Sequence, residues 1–478
     1  MQPKYFNLVE VQKDLLEKNI TLPNLVHYYL ENIEKTRHLN AYIEVFGEEV
    51  LQKAVSLQAK FDENPKSVGR LFGLVISIKD VICYAGHKVT AAAKILEGFE
   101  SLFSATAVER LLAEDVIIIG RVNCDQFGMG STNENSVYGA TRNGIDPAKV
   151  PGGSSGGSAV SVQVDTCLAS LGTDTGGSVR QPAAFCGLIG MKPTYGRISR
   201  YGLLAYGSSF DQIGTLTRSV EDAALLLEIM AGQDGFDATS SSKPVEKYSN
   251  CLISTKKSKI AYIDTAVHHE GLDADVSRLT LETIEKLRQE GHEVEAVSFD
   301  ILEYLIPAYY VLTTAEASTN LSRYDGVRFG YRNPDAQNLY ETYTKSRTEG
   351  FSTEVKKRIM LGTFVLSAGY FDAYYAKAQK VRRLLQERTQ AIFKDYDFIL
   401  LPTSPTPAWN IGEASKDPVA MYLADIFTVH ANMVGIPAIA LPIGESKDGL
   451  PIGIQFMANK FREADLLAFA KEFSLFEK

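Results

Sequence analysis

Two Gly/Ser-rich clusters lie close together in the chain and carry residues that could do chemistry. The first reads Gly-Gly-Ser-Ser-Gly-Gly-Ser at 152–158 and the second Gly-Thr-Asp-Thr-Gly-Gly-Ser at 172–178. Glycines allow backbone conformations closed to other residues and leave N–H groups uncovered. Consecutive uncovered N–H groups form a nest for an anion, such as a phosphate or the oxyanion of a tetrahedral intermediate. Ser178, which ends the second cluster, could attack a carbonyl carbon whose oxygen the same loop holds.

Other interpretations of the two clusters stay open. Both could be ordinary turns, although two clusters that end in serine within one short span are harder to explain in that way. A P-loop needs Gly-x-x-x-x-Gly-Lys-Ser/Thr, and neither cluster has a lysine at that place. Gly153-x-Ser155-x-Gly157 matches the nucleophile elbow of α/β-hydrolases, which would make Ser155 the nucleophile and require a downstream histidine such as His430. The elbow should directly follow an apolar strand, and residues 146–150 do not read as one.

A serine nucleophile needs a base, and Lys79 is a candidate. Lys79 follows the apolar run Leu71–Ile78, which predicts a buried strand. A lysine that a strand carries into the core loses its charge readily, because desolvation can lower its pKa from ~10.4 toward ~7. Taken alone, a lysine at a strand end is more often exposed to solvent. No histidine lies near either cluster in the sequence.

Lys79, the cluster at 152–158 and residues 172–182 together resemble the amidase signature family, which uses a Ser–Ser–Lys triad. The resemblance runs over nearly the whole chain. It implies that Ser178 is the nucleophile and that Ser154 relays a proton between Ser178 and Lys79. It also implies a cis peptide bond before Ser154 and an oxyanion hole made by the N–H groups of Thr175, Gly176, Gly177 and Ser178.

Within that family the chain is similar to the glutamine-hydrolysing subunits of tRNA-dependent amidotransferases. The similar segments are residues 191–197, 199–202, 209–214, 316–323 and 358–364. Such subunits pass ammonia to a partner subunit, which uses ATP and magnesium to amidate glutamate charged on tRNA(Gln) or aspartate charged on tRNA(Asn). The resemblance therefore implies the B and C subunits of a heterotrimer as partners, with the aminoacyl-tRNA held mainly by the partner. It implies no cofactor and no metal in this chain.

The resemblance also implies three residues that hold glutamine. Arg358 would bind the α-carboxylate, Asp425 the α-ammonium group, and Tyr309 would lie along the side chain. Arginine binds carboxylates through two parallel N–H donors, and a lone carboxylate suits an ammonium group. Taken singly, Arg358 and Asp425 could lie on a solvated helix face, and Tyr309 could be ordinary aromatic core. One segment departs from the family pattern, because Gln126-Phe-Gly128 stands where Glu-Phe-Ala is expected.

Two other functions remain possible at this stage. The chain could be a free-standing hydrolase of small amides, or a catalytically silent assembly subunit. The intact Lys79, Ser154 and Ser178 favour an enzyme, because a scaffold has no need of all three.

The elements that position these residues predict an α/β fold. Apolar runs predict strands at 71–78, 116–119, 167–171, 187–191, 259–263, 293–297 and 398–401, and two more between 436 and 456. Helical spacing predicts helices over 1–60, from the N-cap Ser219 to 230, over 276–287 and within 300–395. We expect one large domain at 61–478, with a central mixed β-sheet covered by helices on both faces. Residues 1–60 would form an N-terminal helical segment packed on that core.

Composition limits the class of protein. The 478 residues are 45% hydrophobic and 22% charged, which is ordinary for a globular protein. A net charge of −9 argues against a main nucleic-acid-binding surface on this chain. The five cysteines are scattered and form no Cys-x-x-Cys pair, which indicates free thiols and a cytoplasmic location. No apolar run is long enough to span a bilayer, so we expect no membrane contact.

Overall fold

The structure is a computed structural model that describes residues 3–254, 256–413 and 424–476. Its strands are β1 (Tyr42–Val45), β2 (Val75–Lys79), β3 (Ile117–Val122), β4 (Ala169–Asp174), β5 (Ile189–Lys192), β6 (Gln212–Thr217), β7 (Lys259–Ile263), β8 (Glu293–Val297), β9 (Phe398–Pro402), β10 (Ala438–Glu445) and β11 (Pro451–Ala458).

The α-helices are α1 (Leu8–Leu16), α2 (Leu22–Lys35), α3 (Gly47–Glu63), α4 (Thr106–Ala113), α5 (Gly156–Gln163), α6 (Arg180–Phe185), α7 (Val220–Met230), α8 (Asp264–Val267), α9 (Ala274–Gln289), α10 (Leu305–Asn320), α11 (Leu339–Gly350), α12 (Thr353–Val365), α13 (Lys377–Ile392), α14 (Val429–Val434) and α15 (Glu463–Phe476). Short 3₁₀ turns connect several of them, and a π-helical turn spans Phe371–Ala376. None of the helices in the described ranges combines the length and the apolarity needed to cross a membrane.

All the strands join in one 11-stranded sheet with the order β1-β3-β2-β4-β6-β5-β10-β11-β9-β7-β8. The pairs β3–β2, β2–β4, β9–β7 and β7–β8 are parallel, and the other neighbours are antiparallel. The expected mixed α/β sheet is therefore confirmed.

Both faces of this sheet are buried, each in its own apolar core. Side chains alternate across a strand. On β9, Phe398 and Leu400 belong to one core, whereas Ile399 and Leu401 belong to the other. Helices α7, α9 and α15 contribute to the first core, and α10, α13 and α14 contribute to the second. Helices thus cover both faces, as expected.

The strand predictions hold with shifts of a few residues, but two strands were not predicted. Within residues 1–60, which we expected to be helical, Tyr42–Val45 forms β1 and pairs antiparallel with β3. Strand β6 lies between β4 and β5 near the centre of the sheet. Helix α7 begins as predicted, because the side chain of Ser219 accepts a hydrogen bond from Asp222 N. The division of the chain at residue 60 stays a prediction.

Candidate active site

Two neighbouring parallel strands bring Lys79 and the second Gly/Ser cluster to the same edge of the sheet. Strand β2 ends at Lys79 and β4 ends at Asp174, and Ile78 pairs with Leu171 between them. Parallel strands have their carboxyl ends at one edge, where sites of open α/β sheets form. All five residues of β2 are buried, and Lys79 is 0% exposed, because the strand lies between two others deep in the sheet.

Lys79 is surrounded by hydroxyl groups. Its Nζ donates hydrogen bonds to Ser154 Oγ at 2.7 Å, Thr173 Oγ1 at 2.8 Å and Ser155 Oγ at 2.9 Å. Within the described ranges no carboxylate forms an ion pair with it. Burial therefore lowers the pKa of Lys79 to about 8. The predicted burial, the bond to Ser154, the lowered pKa and the cis bond between Gly153 and Ser154 are all confirmed.

The neighbouring Ser155 supports Lys79 and is poorly suited to attack a substrate. Its hydroxyl donates to Thr173 O at 3.2 Å, so its proton is already engaged, and the side chain is fully buried. His430 bonds Thr389 Oγ1 at 2.7 Å and stacks on Phe299 at 4.9 Å. These contacts keep His430 occupied elsewhere, so the nucleophile-elbow interpretation has no support in the geometry.

The second cluster forms the expected nest of N–H groups, with one difference. Gly177 N donates to Asp174 Oδ1 at 2.9 Å, so this N–H is not available to a ligand. In the part of the chain that the structure describes, the N–H groups of Thr175, Gly176 and Ser178 have no acceptor. Ser178 Oγ also makes no hydrogen bond there, and the residue is 8% exposed. The hydroxyl of Ser178, the predicted nucleophile, and three open donors thus lie together.

The carboxylate of Asp174, which holds the nest, is itself held by Arg180. Two nitrogens of Arg180 donate to the two oxygens of Asp174 at 3.0 and 3.1 Å. Burial alone would raise the pKa of Asp174, but the adjacent guanidinium outweighs it and lowers the pKa to about 2. Arg180 also donates to more distant acceptors at 2.6–2.8 Å, namely Thr428 O, Asn432 Oδ1 and Gln455 Oε1.

Of the three residues predicted to hold glutamine, Tyr309 packs on this nest, Asp425 is joined to it through Thr428, and Arg358 lies near both. A Cβ on Gly176 would lie 2.5 Å from the hydroxyl oxygen of Tyr309, so this tyrosine packs directly on the nest backbone. Thr428 Oγ1 donates to Gly176 O at 2.7 Å and lies 3.2 Å from Asp425 O, which joins the segment of Asp425 to the nest. The charge of Arg358 acts on the pKa of both Tyr309 and Asp425.

The carboxylate of Asp425 is buried and only partly stabilised as an anion. Ser131 Oγ donates to its Oδ2 at 2.5 Å. Burial raises the pKa of Asp425 to about 7, against the opposing effects of this hydrogen bond and of Arg358. A ligand ammonium group beside Asp425 would favour the ionised form.

The guanidinium of Arg358 is held on two sides. Its Nε donates to Glu354 Oε1 at 2.8 Å, four residues earlier on α12, and its Nη1 donates to the hydroxyl of Tyr206 at 3.0 Å. The rings of Tyr206 and Tyr310 lie 5.7 and 5.3 Å from its central carbon. Such support fixes a guanidinium for bidentate binding of a carboxylate.

Ser131, Tyr206 and Glu354 were not among the site residues predicted from the sequence. Glu354 could have been found from its i,i+4 spacing to Arg358 on a predicted helix. Ser131 and Tyr206 lie in loops whose contacts are distant in sequence, so no local pattern marks them. Gln126, which departs from the family pattern, contacts the helix that carries Arg358. Its Oε1 accepts a hydrogen bond from Ser352 N at the start of α12.

The arrangement can carry out nucleophilic attack on a carbonyl carbon. A lysine of lowered pKa can take the proton of a serine through a hydroxyl, and free N–H groups can bind the oxyanion that forms. In the described ranges no group of three or more His, Cys, Asp or Glu side chains is placed to hold a metal ion.

Comparisons with known proteins agree with this geometry. A sequence profile of the amidase family, described as Amidase, matches residues 24–467. The A subunit of the glutamyl-tRNA(Gln) amidotransferase of Chlorobium chlorochromatii is 49% identical over 97% of this chain and 98% of its own length. That of Chlorobium phaeobacteroides is 50% identical over 96% and 97%. The crystal structure of the corresponding protein of Thermotoga maritima has a TM-score of 0.78 at 38% identity and covers 98% of this chain and 94% of that one.

Proposed function

The chain belongs to the amidase signature family, and from that membership we propose that it is the glutamine-hydrolysing subunit of a glutamyl-tRNA(Gln) amidotransferase. The proposal draws on relatives of that name that match almost the full length of this chain. The observation that best supports this chemistry is the environment of Lys79. Its amine is buried, has no carboxylate partner in the described ranges, and lies 2.7 Å from Ser154 Oγ.

In the proposed first step, Ser178 Oγ attacks the side-chain carboxamide carbon of glutamine. A bond forms between Ser178 Oγ and that carbon, while the hydroxyl proton of Ser178 moves to Ser154 and the proton of Ser154 moves to neutral Lys79. Ser155 N donates to Ser178 O at 3.2 Å, which keeps the relay segment beside the nucleophile. The N–H groups of Thr175, Gly176 and Ser178 bind the oxyanion.

In the second step the C–N bond breaks and ammonia leaves. The leaving nitrogen takes a proton from the Lys79 ammonium through Ser154, which returns the amine to its neutral form. A γ-glutamyl ester on Ser178 remains. Water then attacks this ester with the same Ser154–Lys79 relay, and glutamate is released. Every proton is passed within the chain, so the reaction needs no cofactor here.

Substrate recognition is proposed for the groups beside the nest. Arg358 binds the α-carboxylate, because Glu354 and Tyr206 already hold its guanidinium in one orientation. Asp425 binds the α-ammonium group and becomes ionised as it does so. Tyr309 lies along the aliphatic part of the side chain, over the nest.

The proposal includes a partner that uses the ammonia. We infer an assembly with B and C subunits, in which the partner binds ATP, magnesium and the aminoacyl-tRNA. The relatives are each named as one subunit of an amidotransferase, which supports a multi-subunit enzyme. We place this assembly in the cytoplasm, where aminoacyl-tRNA is used.

One experiment tests the function. Ammonia release from glutamine is measured for this chain alone and after co-expression with B and C subunits, together with amidation of Glu-tRNA(Gln) and Asp-tRNA(Asn). We expect glutamine hydrolysis in the complex and transfer of its nitrogen to at least one of the two tRNAs. Hydrolysis of simple amides but never of glutamine would favour a free-standing amidase. A complex that forms without any hydrolysis would favour a silent assembly subunit.

A further inference from the structure

Tyr206 lies between the guanidinium of Arg358 and helix α10, and a directional chain of hydrogen bonds runs through it. Arg358 Nη1 donates to the Tyr206 hydroxyl at 3.0 Å, which in turn donates to Thr313 Oγ1 at 3.0 Å. Thr313 Oγ1 donates to Tyr309 O at 2.8 Å. Because the Thr313 proton is committed to that carbonyl, Thr313 accepts from Tyr206. The lone pairs of the Tyr206 oxygen therefore face Arg358.

These bonds leave Nη2 and the second N–H of Nη1 for a ligand. Nε of Arg358 is bonded to Glu354 and Nη1 to Tyr206, whereas Nη2 has no acceptor within the described ranges. Arg358 is 6% exposed and Tyr206 is 2% exposed, so water screens the bond between them poorly. The orientation of the free edge of Arg358 is thus fixed by Tyr206 together with Glu354 on helix α12.

A single carboxylate ties Tyr206 to the nest. Asp211 Oδ2 accepts a hydrogen bond from Tyr206 N at 2.9 Å, and Asp211 Oδ1 accepts one from Thr175 Oγ1 at 2.7 Å. Gly207 N adds further bonds to the same carboxylate, at 3.1 and 3.2 Å. Tyr206, which holds Arg358, and Thr175, which begins the nest, are therefore bonded to the same carboxylate.

We propose that Tyr206 is a positioning residue for substrate specificity, because it orients Arg358 toward the α-carboxylate of the substrate. Asp211 fixes the position of Tyr206 relative to the nest. The proposal rests on the proposed function and deepens it. It assigns to Tyr206 the preference for amides of α-amino acids over amides that lack an α-carboxylate. Tyr206 acts through Arg358 and touches no reacting atom.

The test is Tyr206→Phe, which removes the hydroxyl and keeps the ring. In the complex with its partner subunits, KM and kcat are measured for glutamine and for 4-aminobutanamide, which is glutamine without its carboxylate. Loss of a hydrogen bond to a charged group should raise KM for glutamine on the order of tenfold. We expect kcat to stay within about threefold, because the triad and nest are untouched. The kcat/KM for 4-aminobutanamide should be unchanged.

Tyr195→Phe is the matched control, because the Tyr195 hydroxyl donates to Ser208 O at 2.8 Å in the same loop but contacts neither Arg358 nor the nest. If Tyr206→Phe does not fold, Thr313→Val removes the acceptor of the Tyr206 hydroxyl at similar volume and should also raise KM for glutamine, because the lone pairs of Tyr206 are no longer held toward Arg358. A second measurement is a double-mutant cycle, in which Tyr206→Phe adds no further loss to Arg358→Lys.

An unchanged KM for glutamine, or an equal loss on both amides, would overturn the assignment of Tyr206. These results differ from failure of the proposed function. If the wild-type complex hydrolyses no glutamine, the function fails. If the wild type hydrolyses glutamine and Tyr206→Phe behaves like it, only the role of Tyr206 fails.

Discussion

Ser131 and Asp425 are 294 positions apart in the sequence, yet Ser131 Oγ donates a hydrogen bond to Asp425 Oδ2 at 2.5 Å. The loop that carries Ser131 is fixed by Asp125, whose carboxylate accepts bonds from Asn133 N at 2.9 Å and Asn135 N at 3.0 Å. The hydroxyl of Ser131 therefore meets Asp425 in one orientation and favours its ionised form.

We predict that Ser131→Ala weakens glutamine binding, and more so in acid. The lost hydrogen bond raises the pKa of Asp425 further above about 7, so a larger fraction is neutral at pH 7 and cannot pair with an ammonium group. KM at pH 7 should rise by roughly three- to tenfold and approach the wild-type value near pH 9. Ser322→Ala, at an exposed serine that bonds Thr319 O, is the control. A wild-type KM at pH 7 would contradict the prediction.

We predict that Ser178→Ala abolishes glutamine hydrolysis and leaves ammonia-dependent amidation by the complex intact. In the proposed mechanism Ser178 forms the acyl-enzyme, whereas free ammonia bypasses that step. Ammonia release and tRNA amidation are measured in parallel, with glutamine or ammonium chloride as nitrogen donor. Hydrolysis near the wild-type rate would remove Ser178 from its role, and loss of both activities would indicate a broken complex.

The pH dependence of kcat should report Lys79. The ammonium form cannot accept a proton, and the pKa of Lys79 is about 8. Below that pH kcat should fall roughly tenfold per pH unit, and above it kcat should reach a plateau. Lys79→Arg should be nearly inactive, because a guanidinium keeps its proton throughout this range. A kcat that is constant between pH 6 and 9, or an active arginine variant, would rule out the lysine base.

Removal of Arg180 should destabilise the protein strongly. Arg180→Met leaves Asp174 buried without its cation, which costs about 3–5 kcal/mol of the free energy of unfolding, measured with denaturant. Arg383→Met is the control, because its ion pair with Glu387 has side chains that are 73% and 56% exposed. Such exposed pairs contribute about 0.3–0.5 kcal/mol. Similar losses in the two variants would show that the buried network adds no special stability.

The pH dependence of the free energy of unfolding follows from the ion pair between Asp174 and Arg180. The folded pKa of Asp174 is about 2, below its value of 3.8 outside the fold. Its contribution to stability is therefore present above about pH 4 and is lost as the pH falls toward 2. Between pH 4 and pH 2 the free energy of unfolding of the wild type should fall, because Asp174 becomes protonated. Arg180→Met lacks the ion pair and has no such loss, so the free energies of unfolding of the two proteins should converge in acid.

The sequence allowed prediction of strands that are apolar along their length, such as β3 and β9, because burial on both faces leaves a continuous run. It did not reveal β6, since Gln212 and Thr215 are polar and yet buried at the centre of the sheet. It also did not reveal β1, whose four residues are half-buried at the sheet edge and flanked by helices. In both cases tertiary contacts override the local pattern.

The same limit applies to the site. The proposed triad could be picked out from the sequence because Ser154 and Ser178 lie in glycine clusters with a strong local signature. The bond between Arg358 and Tyr206 spans 152 positions, and only folding brings such residues together. The engagement of Gly177 N by Asp174 was also not predicted, because a motif gives residue types and not the direction of each N–H.

The support of Arg180 by Gln455 has a consequence for synthesis of the chain on the ribosome. All three residues of the proposed triad have been made once Ser178 has been added. Arg180, however, finds its acceptor Gln455 on β11, 275 positions later in the sequence. At roughly 5–20 residues per second the nascent chain carries its nucleophile for tens of seconds before that acceptor exists. The growing chain should therefore stay unable to hydrolyse glutamine until β11 has been made.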